Sequence, residues 1–103
     1  MINWNDIQIP VKPVVIEFDQ SVGAWYVRFS RRKIAKTISQ QKSGTIVAID
    51  LDDRNELIGL ELLGVREFSV GFMVKIAGPK ASRIDLSETR FVPAGREREL
   101  QPA

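Results

Sequence analysis

TIVAIDLDDRNELIGLELL, residues 45–63, reads as a β-hairpin whose register decides the fold. Val47, Ile49 and Leu51 alternate with Ile46, Ala48 and Asp50. Beyond a polar centre, Ile58, Leu60 and Leu62 alternate with Leu57, Gly59 and Glu61. A period of two with one apolar set marks two half-buried strands. A four-residue loop of Asp52, Asp53, Arg54 and Asn55 sets Ile49 opposite Ile58 and Val47 opposite Leu60. A three-residue loop would bring Glu61 opposite Val47 on the apolar face, so the pattern favours the longer one. Asn55 then takes the positive-φ place at the end of the loop, which asparagine tolerates better than most residues.

Val14 to Phe29 repeats the device, with Val14, Ile16 and Phe18 on one strand and Trp25, Val27 and Phe29 on the other. Turning at Gln20, Ser21, Val22 and Gly23 sets Phe18 against Trp25 and Ile16 against Val27, with Gly23 at positive φ. Glu17 then falls beside Tyr26, and Val15 beside Arg28, on the other face.

Between the hairpins, Arg31, Arg32 and Lys33 form a basic turn. Ile34 to Ser39 is a weak strand with Ile34 and Ile38 inward, and residues 40–44 are polar loop. After Gly64, Ser69 can cap a helix that ends at Gly78 before Pro79, with Val70, Met73, Val74 and Ala77 on one side. A strand carrying Val70, Phe72, Val74 and Ile76 is the alternative; the two end signals favour the helix. Trp4 and Ile7 are the anchors of an N-terminal stretch that ends in Pro10 and Pro13. The expected fold is α+β, mainly β: an antiparallel meander of about five strands built from two hairpins, under one C-terminal covering helix. Within a single domain of 103 residues, 1–12 is an extended arm, 13–63 the sheet, 64–92 the helix and a docked segment, and 93–103 a mobile tail.

Composition narrows the chemistry. Apolar residues make up 44% of the chain, enough for a folded body, and no run of about eighteen uncharged apolar residues is present. With no basic, apolar leader either, the expected location is cytoplasmic. The chain has neither cysteine nor histidine, so disulfides, thiolate zinc sites and most nucleophile-plus-base catalysis fall away. Fifteen basic and thirteen acidic residues leave a formal charge of +2, too little to imply nucleic acid without clustering.

Two stretches resemble a known family. Phe18-Asp19 followed by Ala24-Trp25-Tyr26-Val27-Arg28-Phe29 resembles the Y-D-x-x-x-D-A-L-Y-I-x-L signature of a small bacterial family named domain of unknown function 2283. Ala48-Ile49-Asp50-Leu51-Asp52, with Asn55-Glu56-Leu57-Ile58-Gly59-Leu60-Glu61-Leu62-Leu63, is similar to its L-D-x-D-x-x-G-x-x-V-G-I-E-I-L segment. Gly23 stands where the family has an aspartate, Asn55 where it has a glycine, and Trp25 where it has a leucine. The resemblance spans Val14 to Leu63 and implies a non-catalytic partner protein, with the neutralising of a toxin-like protein as one role.

The remaining constellations are weak. Asp50, Asp52, Asp53, Glu56 and Glu61 resemble a calcium loop, but Arg54 stands where a ligand belongs and Asn55 where the glycine belongs. Asp19 and Asp50 are candidate paired acids with no nucleophile beside them. No catalytic, cofactor-binding or metal residue is therefore assigned, and no cofactor is expected. Arg28, Arg31, Arg32, Lys33 and Lys36 are the candidate contacts to nucleic acid or an acidic partner. Trp4, Val15, Tyr26 and Leu57, placed off the core by the register, are the candidate self-association residues. The expected function is a non-enzymatic protein-interaction module that pairs as a homodimer, with a nucleic-acid or regulatory binder using the basic edge as the alternative.

Overall fold

In the computed structural model, which describes residues 2–42 and 44–94, the first hairpin forms as its alternation requires. Strand β1 (Val15–Asp19) runs antiparallel to β2 (Ala24–Arg28), pairing Phe18 with Trp25, Ile16 with Val27 and Glu17 with Tyr26. Gly23 closes the loop at φ 63. A Cβ at that glycine would also meet the Val65 backbone at 3.0 Å, where the Val65 N–H donates to the Gly23 carbonyl. Left-handed backbone and close approach thus both call for glycine there.

The second hairpin joins β4 (Thr45–Leu51) to β5 (Leu57–Leu63) by a shorter turn than the pattern favours. The Asp52 N–H donates to the Glu56 carbonyl at 3.1 Å and the Asn55 N–H to the Asp52 carbonyl at 3.2 Å. The loop proper is therefore Asp53, Arg54 and Asn55, with Asn55 at φ 62. Left uncorrected, this turn would carry Glu61 onto the apolar face. A β-bulge prevents it: Leu51 pairs with Leu57 and Asp50 with Gly59, so Ile58 is the extra residue. Beyond the bulge Ile49 faces Leu60 and Val47 faces Leu62, a two-residue slip from the expected pairs that leaves every side chain on its expected face. Before the bulge the faces exchange. Leu57, expected outside, is fully buried in the core, while Ile58 is buried outside the main core cluster.

The hairpins join through β2 and β5, not through β2 and β3 as a meander would. Strand β3 (Lys36–Lys42) takes in much of the expected loop and pairs with β4 at one edge. Ile38 packs against the core, but Ile34 precedes the strand and is 45% exposed. At the other edge β6 (Arg90–Pro93) runs parallel to β1, which brings Pro93, expected in the tail, opposite Phe18. The rest of that tail lies outside the described residues. The sheet is thus six-stranded and mixed, in the order β3-β4-β5-β2-β1-β6, not a five-stranded antiparallel meander.

One apolar row crosses it from Ile38 through Ile49, Leu60 and Val27 to Ile16. Its cover includes α1 (Val70–Ala77), which starts where the Ser69 hydroxyl accepts the Phe72 N–H at 3.0 Å and stops at Gly78. Met73 and Ala77 are buried and Val70 and Val74 partly so, as the helical reading requires. A 3-10 turn (Pro79–Arg83) adds Ala81, and the N-terminal arm adds Ile2 and Ile7. The arm is not fully extended: Trp4–Asp6 forms another 3-10 turn, and the Lys80 ammonium donates to the carbonyls of Trp4 and Ile7. Among the described residues, no helix is long and apolar enough to cross a membrane.

Because Leu62 is wholly buried in this layer, Leu62→Ala is expected to cost about 2–5 kcal/mol in urea unfolding. Ile46→Ala, on the opposite face of β4, is expected to cost less than about 1 kcal/mol.

Candidate functional site

Among the described residues, no helix layer covers the other face of the sheet, and the strand pairings bring its side chains into rows. Thr37, Asp50, Gly59, Arg28, Val15 and Arg90 occupy one row across all six strands. Glu61, Tyr26 and Glu17 stand side by side in the next.

Tyr26 organises the centre. A Cβ built at Gly59 would overlap its hydroxyl oxygen, so the phenol lies over the space that the glycine leaves. Its hydroxyl donates to Asp50 Oδ2 at 3.0 Å, and the Thr37 hydroxyl donates to Asp50 Oδ1 at 2.6 Å. The Arg28 guanidinium carbon sits 5.2 Å from the ring centroid, within cation-π range. Burial first, then the hydrogen bond to Asp50, pushes the Tyr26 hydroxyl up to about 12. Beside this ring opens a groove of about 460 Å³ whose lining includes Glu17, Asp19, Arg28 and Glu61.

The acidic string is divided. Asp50 faces the open side, while Asp52 is nearly buried in the hairpin loop, where its Oδ1 accepts the N–H groups of Arg54 at 2.8 Å and Glu56 at 2.9 Å. The Glu56 N–H, then the Arg54 N–H and the Arg32 guanidinium, hold this carboxyl below its ordinary value. Among the described residues, no three carboxylates are placed to share a metal ion. Asp19 accepts from Ser21 in its own turn and stands on β1, level with Ile46, so it lies about 14 Å from Asp50 across the sheet and about 13 Å further along it.

The candidate basic residues do not form one patch. Arg28 lies over Tyr26, and Arg32 is ion-paired with Asp52 and with Glu56, the latter at 3.2 Å. Arg31, Lys33 and Lys36 are exposed near the β3 edge. A second groove, of about 580 Å³, includes Arg32, Lys33, Asp52, Asp53 and Arg54 and is therefore of mixed charge. Of the four candidate self-association residues, Leu57 and Val15 are buried and Trp4 packs against the covered core. Tyr26 alone of the four is half-buried on the open face.

Asp50, Thr37 and Gly59 were not recognisable as partners of Tyr26, because the expected register did not set Gly59 opposite Asp50. The signal was a glycine inside an otherwise apolar strand, which marks a close approach.

Gly59→Ala is expected to cost about 1–3 kcal/mol in the native background and little or nothing beside Tyr26→Ala, a coupling that a double-mutant unfolding cycle reads directly. The chain has one tyrosine, so phenolate absorbance follows Tyr26 alone. Its midpoint is expected near 12 in the folded protein and lower in Asp50→Ala. Since folding raises this pKa, the stability it contributes is whole below pH of about 10 and is lost as pH rises through the folded value.

Comparison with family models, curated proteins and solved structures finds no match to this chain.

Proposed function

We propose that the protein is a non-enzymatic interaction module that binds a partner protein on the open face of its sheet, with Tyr26 and Arg28 as anchors. The observation that carries this reading is Tyr26, bonded to Asp50 and seated over Gly59, with Arg28 against its ring, on a face that no helix layer covers among the described residues. Tyrosine and arginine are the residue types that dominate protein interfaces, and an anchor fixed before binding loses less entropy on docking. Glu17, Asp19 and Glu61 around the groove supply charges that select a partner and its orientation. The family resemblance gives this reading a specific form, the neutralising of a toxin-like protein. A second copy of the chain ranks behind a different partner, because three of the four self-association candidates lie on or within packed parts of the fold. Nucleic-acid binding is the second reading, favoured by the exposure of Arg31, Lys33 and Lys36.

Co-purification from the native cell is expected to yield a partner in stoichiometric amount with the unaltered chain. Arg28→Glu and Tyr26→Ala are expected to reduce capture at least about tenfold while circular dichroism shows the sheet intact. Equal capture by both variants refutes the reading. A dimer in light scattering that both variants dissociate assigns the face to a second copy.

A further inference from the structure

The two outer strands of the sheet are built differently. β6 is four residues long, carries Pro93 and pairs parallel to its neighbour. β3 has seven residues, and no described strand pairs with its far side. An edge of that length spans about 23 Å and presents alternate N–H and C=O groups as a template for another strand. Exposed Thr37, Ser39 and Gln41 punctuate it.

Charge decides what such an edge accepts. β3 contains Lys36 and Lys42 and no acid, and the chain that leads into it carries Arg31 and Lys33. Antiparallel pairing of two copies about Ser39 would set Lys36 of one opposite Lys42 of the other. Like charges directly opposite oppose pairing, and no shift of register supplies an acid. Arg32 is already engaged by Asp52 and Glu56, whereas Arg31, Lys33 and Lys36 have no ion-pair partner among the described residues. Single-stranded nucleic acid needs aromatic surfaces for stacking; Trp25 is buried and Tyr26 stands three strands away.

We propose that β3 is a strand-addition site for an extended acidic segment of a partner protein, with carboxylates at one end of the added strand meeting Lys33 and Lys36. The proposal rests on the reading of the protein as an interaction module and adds a second surface to it. Backbone hydrogen bonds supply the affinity of such a contact and the charges set its direction.

The test uses the full chain, labelled for amide NMR, with a panel of seven-residue alternating valine–threonine peptides carrying two glutamates at one end. Binding is expected to shift the Thr37–Gln41 amides and slow their hydrogen exchange. Methylation of alternate peptide nitrogens is expected to abolish it, and Lys33→Glu with Lys36→Glu to weaken it about tenfold or more. Absence of binding by every peptide, or binding that methylation leaves unchanged, overturns the proposal. So does tighter binding of an oligothymidylate that shifts the same amides, which would assign the edge to nucleic acid. Peptide shifts confined to Tyr26 and Arg28 overturn the edge site and leave the open-face reading standing; loss of partner capture in Arg28→Glu tests that reading separately.

Discussion

The register of β4 against β5 is the constraint on which the rest of the sheet depends. Ile49 opposite Leu60 and Val47 opposite Leu62 place four buried side chains on one face in the middle of the sheet. A slip of one residue would turn Leu60 and Leu62 to water and bring Gly59 and Glu61 inward. Burial of each leucine is worth about 1.5–3 kcal/mol, so that slip would forfeit much of the stability of a small domain. The tight turn at Asp53–Asn55 pushes toward the wrong register, and the bulge at Ile58 absorbs the difference. Asp52 anchors the turn through two backbone N–H groups and the Arg32 guanidinium.

The same register builds the open face. It sets Gly59 opposite Asp50, and β5 carries that pair against β2, so that Tyr26 spans the glycine and reaches the carboxylate. Core and candidate site therefore share a determinant, although they occupy opposite faces. A change that altered the bulge would reach both, whereas a change at Arg28 or Glu61 alone would leave the apolar row untouched.

What the sequence made legible was local. The β1–β2 hairpin, Gly23 in its turn, Asn55 at positive φ and the capped ends of α1 each depend on residues a few positions apart, and each is present. The bulge was hidden because alternation looks the same before and after an extra residue, and with it went the placement of Leu57. Strand β3 was only half visible because KTISQQK contains one apolar residue, Ile38. The pairings of β2 with β5 and of β1 with β6 join distant parts of the chain, which periodicity does not report. On the open face, side-chain type misled in two directions: basic residues adjacent in sequence separate, with Arg28 over a ring and Arg32 in an ion pair, while Val15 is buried beside charged neighbours.

The parallel contact between β1 and β6 has a consequence for how the chain is made. The Thr89 hydroxyl donates to the Pro13 carbonyl across a sequence separation of 76 positions, and Lys12 pairs with Glu88 beside it. During synthesis the first hairpin, residues 15–28, is made well before Arg90–Pro93, and until that segment follows, the outer flank of β1 stays bare. Closing so long a loop is entropically slow, and meanwhile the flank of β1 is open to any other extended chain. Strand β6 thus acts as the latch that ends this exposed interval.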